Sequence, residues 1–288
     1  MHFKLLILLK NVYGKIIPRF IREKINMGKK LQIQENINKK LPEYDYGYLK
    51  PNKIKMKLFL NDFVQRNIYI TGYHEKEESF SLLKLLPING IFFDIGANIG
   101  AYSFIFCKKA KHIYSFEATK RTFDIFCDNI ELNKINNITP VFAAVHSTDN
   151  LEINIYSEFP DNCGGNSMHI FLEGKTIANT VKSITIDKYV QDNNIRTISL
   201  IKMDIEGNEL NAFKGMTKSL LTYRPIIFCE MSPAGSKAAG SDIIELFNYV
   251  TENCKYNAKI LKENDFKEID QEYIRKIANN INCYFFPK

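Results

Sequence analysis

Five carboxylates fall at or just past the ends of apolar runs in this chain. They are Asp94 in "FFDIGANIGAYS", Glu117 in "HIYSFE", Asp204 and Glu206 in "ISLIKMDIEG", and Glu230 in "RPIIFCEM". A charge at the mouth of a buried strand is costly to desolvate, so each needs a ligand, a counter-ion or a helix to cap. Asp94 leads into Gly96, Asn98 and Gly100, after which a helical pattern begins. That is a strand, a tight turn and a helix, the place where α/β proteins hold a nucleotide. Glycines at 96 and 100 let backbone approach a ligand closely and let the helix start tightly packed.

Two cofactor classes fit such a turn. A dinucleotide wants G-x-G-x-x-G, because its pyrophosphate nests on bare N–H groups at the helix start. Here Asn98 stands where the middle glycine belongs, and Asp94 would repel a phosphate. A cationic, phosphate-free ligand welcomes the carboxylate, which points to S-adenosylmethionine. Glu117, 23 positions after Asp94, can accept from ribose hydroxyls in either class. No G-K-[ST] follows the turn, so a P-loop is excluded.

The second group is Lys202, Asp204 and Glu206, alternate residues that share one face if the strand stays extended. With Glu230 from a further strand, they would reach the same rim as Asp94 and Glu117. One reading is structural: Glu206 or Asn208 caps the next helix and Lys202 neutralises Asp204. The other is chemical: Asp204, Glu206 or Glu230 orients or deprotonates a substrate hydroxyl. The histidines of the body (His74, His112, His146, His169) do not pair at ligand spacing, so no metal is expected.

The elements that must position these residues alternate in type. Apolar strands at 90–94, 112–117, 138–145, 198–207 and 224–231 are separated by amphipathic helical stretches. That alternation predicts one doubly wound, Rossmann-like α/β domain with a mainly parallel sheet, over residues 61–288. The terminal "NCYFFPK" reads as an edge strand, 147–180 as an irregular loop region, and 28–60 as a connector.

Charge is placed unevenly. Residues 1–60 hold 14 Lys/Arg against Glu23, Glu35, Glu43 and Asp45, a net +10, while the rest holds 25 basic and 28 acidic residues, a net −3. A nearly neutral body without a basic-aromatic platform argues against nucleic acid as a partner. Residues 1–25 mix Leu, Ile and Phe with Lys and Arg, a pattern suited to an anionic membrane surface or to packing on a protein. Their longest apolar run is too short to span a bilayer. Six scattered cysteines without C-x-x-C fit reduced thiols, hence a cytoplasmic protein, peripheral at the inner membrane surface if residues 1–25 bind there.

Taken in order, "FFDIGANIGAYS", "SFEAT", "NIELN", "SITIDKY", "LIKMDIEGNELNAFKG" and "PIIFCEM" resemble the FkbM family of S-adenosylmethionine-dependent methyltransferases, from about Tyr73 onward. The resemblance implies a class I methyltransferase sheet of seven strands with an antiparallel last strand. It implies that Asp94, Gly96, Asn98 and Gly100 line the methionine part of the cofactor, with Ser103 assisting. It places Glu117 on the ribose, Ala143 and Ala144 near adenine, and Asp204 and Glu206 toward the substrate. Two residues depart from the family pattern: Ala118 replaces a Pro, and Asn208 replaces a His. The expected activity is O-methyl transfer to a hydroxyl of a sugar, glycan or other small metabolite. A nicotinamide oxidoreductase and a non-catalytic binding protein on the same fold are the rivals.

Overall fold

The computed structural model describes residues 42–157, 167–168, 176–263 and 265–288. The basic stretch 1–25, Cys163 and His169 lie outside the described residues. The chain forms two units, Met1–His74 and Glu75–Lys288.

In the first unit, β1 (Tyr44–Leu49) and β2 (Ile54–Phe59) pair antiparallel, and α1 (Phe63–Thr71) follows. This corrects the connector reading of residues 28–60 where they are described. Ile54, Met56 and Leu58 alternate with lysines, and their side is buried. That is strand period, so Pro51 lies in a hairpin turn and Gly47 within its first strand, opposite Met56.

The second unit begins with α2 (Lys76–Leu85), β3 (Ile91–Ile95), α3 (Ala101–Phe106), β4 (His112–Glu117), α4 (Lys120–Leu132) and β5 (Ile138–Phe142). Next come β6 (Ala144–Val145), β7 (Glu152–Ser157), β8 (Thr176–Ile184), α5 (Ile186–Asp192) and β9 (Leu200–Met203). Then follow α6 (Glu209–Lys214), α7 (Thr217–Tyr223), β10 (Ile226–Met231), α8 (Pro233–Ala238) and α9 (Ile243–Asn248). The last elements are β11 (Tyr256–Lys262), β12 (Asp265–Glu268), α10 (Gln271–Arg275) and β13 (Ile281–Pro287).

The main sheet runs β12-β11-β13-β10-β9-β3-β4-β5. Strands β5, β4, β3, β9 and β10 are mutually parallel, and β13 is antiparallel to both β10 and β11. This is the class I methyltransferase order with one extra strand, β12, added as a hairpin beyond β11. β13 is therefore not an edge strand: it is inserted between β10 and β11, and Cys283, Tyr284 and Phe285 are buried. Part of the irregular region also pairs: β7 runs antiparallel to β8, and β6 joins β8 in a separate small sheet.

Successive residues of β3 serve opposite faces, as strand geometry requires. Phe93 and Ile95 join Ile201, Met203, Phe213, Leu246 and Phe285 in the large core. Phe92 stacks on Phe106 of α3, with ring centroids 4.7 Å apart. The parallel strands thus stand between two apolar layers, and their carboxyl ends share one edge.

Candidate active site

The chain order reverses at β3, which has β4 on one side and β9 on the other. A crevice at that switch point is where open α/β sheets bind ligands. The sheet register sets the site's first pair, because Asp94 lies opposite Lys202. Met203 lies opposite Cys229, which brings Asp204 and Glu230 side by side one step further on.

The turn after β3 is closed by bonds within the protein. Asp94 is fully buried, and its Oδ2 accepts from the Ser103 amide (3.1 Å) and hydroxyl (2.6 Å). The Ser103 hydroxyl also lies 2.8 Å from that of Ser115. Gly96 has φ +79°, and a Cβ there would meet the Asp204 carbonyl oxygen at 1.8 Å. Gly100, at φ +83°, presses on the Phe126 ring in the same way. Both glycines are therefore demanded by protein packing, whatever ligand the turn also receives. Asn98 adopts φ +53°, donates its amide to Glu117 Oε2 (2.7 Å) and accepts from the Ile99 amide.

Glu117 is almost wholly buried at the end of β4. Its other oxygen accepts from the Thr119 amide (2.8 Å) and the Thr122 hydroxyl (2.9 Å). Burial raises its pKa, and these bonds pull the other way. Ala143 and Ala144 are buried just beyond β5, and the Ala143 amide donates to the Glu117 carbonyl.

Lys202 joins the two halves. Its Nζ donates to the Gly96 carbonyl (2.8 Å) and lies 4.0 Å from Asp94 and 3.7 Å from Asp204. Burial alone would lower this ammonium, but Asp204 and then Asp94 outweigh it and hold it above its ordinary value. The expected neutralisation of Asp204 by Lys202 is thus present, and Asp94 shares it. Two residues missed in the sequence also belong here. Tyr102 lies with its ring centroid 5.5 Å from the Lys202 Nζ and donates to Glu75 Oε2 at 2.6 Å. Burial, and then Glu75, push the phenol well above its ordinary pKa. Nothing in the sequence signals Glu75, which precedes the strands by a whole helix.

The rim beyond β9 and β10 differs. Asp204, Glu206 and Glu230 are half-buried, and one oxygen from each falls within 4.8 Å of the others. Burial, then Asp204, Glu230 and Glu209, push Glu206 up to about 8. Burial and then Asp204 push Glu230 up to about 7. Such a trio can hold a shared proton or a divalent cation, though three acidic side chains alone do not define a metal site. Neither Glu206 nor Asn208 caps α6 through its side chain. Asn208 occupies the N-cap position, but its amide donates to the Val145 carbonyl (2.9 Å) and its oxygen accepts from Asn211. Glu209 instead reaches back, taking the Ile205 and Gly207 amides on Oε1 at 3.2 and 3.1 Å. The loop carrying Glu206 is held from within its own helix.

The strand order and this rim define a class I methyltransferase architecture. The model of the "Methyltransferase FkbM domain" matches residues 94–272, and the chain belongs to that family. A relative from Haloferax volcanii, "Hexuronic acid methyltransferase AglP", is 26% identical over 147 residues, 51% of this chain and 58% of that protein. "Methyltransferase 1" of Beauveria bassiana is 24% identical over 180 residues, 54% of this chain and 67% of that one. This chain thus spans little more than half of the first relative's length. Among solved structures, a methyltransferase FkbM from Methylobacillus flagellatus KT superposes with TM-score 0.45 and 16% identity, over 76% of this chain and 52% of that one. TYW2 of M. jannaschii, solved with AdoMet, gives TM-score 0.43 and 15% identity over 86% and 88%.

S-adenosylmethionine is the family's cofactor, and membership decides between the two cofactor readings. The residues present fit it. Asp94, Glu117 and Asp204 gather at the strand ends with one buried lysine, a set that suits a cation better than a pyrophosphate.

Proposed function

We propose that this chain is an S-adenosylmethionine-dependent O-methyltransferase whose acceptor is a sugar hydroxyl, with acidic glycans the favoured class. The observation that carries the proposal is the Asp204, Glu206 and Glu230 trio, where burial and then mutual repulsion leave Glu206 at about 8 and Glu230 at about 7. A general base works best with a pKa near the operating pH, and this rim supplies one beside the donor turn.

In this reading Glu117 holds the ribose, the 94–103 turn bears on the methionine part, and Ala143 and Ala144 border the adenine. When bound, the cofactor supplies an electrophilic methyl on a sulfonium. The chain's own work is to place the hydroxyl and accept its proton. Glu206 takes that proton at a carboxylate oxygen, while Asp204 stands beside it, 3.7 Å from the Lys202 ammonium. The sugar assignment draws on the printed name of the Haloferax relative and on the basic excess of residues 1–60. Residues 1–25 would bring the protein to the anionic inner face of the membrane, where a lipid-linked glycan could present its hydroxyl. Among the described residues no helix is long and apolar enough to cross a membrane.

The test offers purified protein and S-adenosylmethionine two matched sets of oligosaccharides, one ending in glucuronic acid and one in glucose. S-adenosylhomocysteine release with the acidic set, reduced about 100-fold in Glu206→Gln, is the expected result. No release with either set, together with no heat of S-adenosylmethionine binding in calorimetry, overturns it.

A further inference from the structure

The first unit holds a cavity that the site above does not use. It measures about 590 Å³ and is lined by Tyr48, Lys50, Pro51, Lys53 and Tyr73. That volume lies within the range of small-molecule pockets. Its walls come from two elements, the tip of the β1–β2 hairpin and the segment leaving α1, both in the same unit. They are clamped together by the Lys50 amide, which donates to the Gly72 carbonyl at 2.7 Å. The Tyr73 amide is fixed in turn by the Thr71 hydroxyl at 3.0 Å. The surface is therefore set before any ligand arrives.

Its chemistry is specific. Tyr48 is 58% exposed, although nothing in strand geometry requires a large aromatic at that outward position. The Lys50 Nζ lies 5.2 Å from the centroid of the Tyr73 ring. Lys53 is exposed on the same hairpin tip, and among the described residues no carboxylate lines the cavity. Aromatic faces flanked by two ammonium groups suit a ligand with a flat apolar face and a negative edge. A pyranose presents an axial C–H face that stacks on tyrosine, and a uronic acid adds a carboxylate in the ring's equatorial plane. Neutral sugars satisfy the rings but leave both lysines unanswered, whereas small anions do the reverse.

We infer that this cavity is an acidic-saccharide subsite, which holds a uronic acid residue of the glycan by stacking on Tyr48 and Tyr73 and by ion pairing to Lys50 and Lys53. The inference takes its ligand class from the acceptor proposed above, but its readout is binding and needs no turnover. A glycan-binding unit on the same chain as the transfer site would raise the local concentration of acceptor without entering the chemistry.

The test uses the full chain without cofactor and titrates trigalacturonate, with maltotriose as the neutral control, by calorimetry or ligand-observed NMR. Tyr48→Ala and Lys53→Glu alter exposed side chains and should leave the thermal transition in place. Each is expected to weaken trigalacturonate binding about tenfold or more, while Glu206→Gln leaves it within twofold. Equal binding of trigalacturonate by wild type and both variants overturns the inference, as does no binding by wild type. Equal affinity for maltotriose removes the role of the lysines and overturns it in this form. Retention on vesicles of anionic lipid, lost in both variants without any saccharide binding, assigns the cavity to a membrane surface instead. Failure here with methyl transfer intact refutes the subsite alone; binding intact without transfer refutes the catalytic reading alone.

Discussion

The turn after β3 and the rim after β9 and β10 are both built around carboxylates, yet they are finished in opposite ways. Asp94 and Glu117 are buried and held in place by bonds from Ser103, Asn98, Thr119 and Thr122. Asp204, Glu206 and Glu230 are half-buried and face one another, and burial followed by their mutual repulsion pushes Glu206 and Glu230 toward neutrality. On one side charge is locked into architecture, and on the other it is left free to exchange a proton. The β3–β4 side therefore resembles a rigid frame and the β9–β10 side a titrating surface, a division that suits the transfer proposed here.

The strongest challenge to that contrast is Gly96→Ala. A Cβ there meets the Asp204 carbonyl at 1.8 Å and must also hold φ +79°. The cost should exceed about 4 kcal/mol, seen as insoluble expression or a thermal transition lowered by more than about 8 °C. Asp94→Asn comes next. It removes one of the two carboxylates beside buried Lys202 and should cost about 3 kcal/mol by denaturant titration. A loss below about 1 kcal/mol would show that Asp94 is not part of the frame.

At the rim, Glu206→Gln should cut transfer about 100-fold and leave S-adenosylmethionine affinity within twofold. In the wild type the rate should rise as pH climbs toward about 8, since a base must be deprotonated to act. Stability should move in the opposite direction over the same window. Glu206 holds its proton more tightly folded, at about 8, than at its ordinary 4.5. Its contribution is therefore full below pH 4.5 and lost as pH rises through 8. Between about pH 6.5 and 9 the wild type should lose ~3 °C more of its melting temperature than Glu206→Gln does. Tyr102→Phe carries the smallest effect. Losing the bond to Glu75 should cost about 1 kcal/mol at every pH, with the rim's pH profile unmoved.

Much of this was legible in the sequence because it is local. The 92–103 turn, the acidic ends of the strands and the alternation of elements are all contained in short windows, and the strand register then brings Asp94 to Lys202. What escaped was non-local or masked by composition. β13 reads as an edge from its terminal position, but its place between β10 and β11 is decided by sheet order, which no window contains. The β1–β2 hairpin was hidden by Gly47 and Pro51, although Ile54, Met56 and Leu58 carry the strand period. Glu75 and Tyr102 meet across 27 positions, a pairing that only the fold creates. The inward turn of Glu209 to two amides depends on the backbone of its own loop, which its place in the sequence does not reveal.

The contact between Gly96 and the Asp204 carbonyl has a consequence for how this scaffold can diversify. The loop bearing Asp204 and Glu206 rests directly on the turn after β3, with no space for a side chain between them. Lengthening or re-routing the Asp204–Asn208 loop would therefore disturb the 94–103 turn along with the carboxylate rim. A lineage or a designer seeking a new acceptor has to keep the path of that loop and rewrite what projects from it, or recruit surfaces elsewhere on the chain. Acceptor preference on this fold should drift by exchange of side chains and by appended units, and seldom by insertion at the rim.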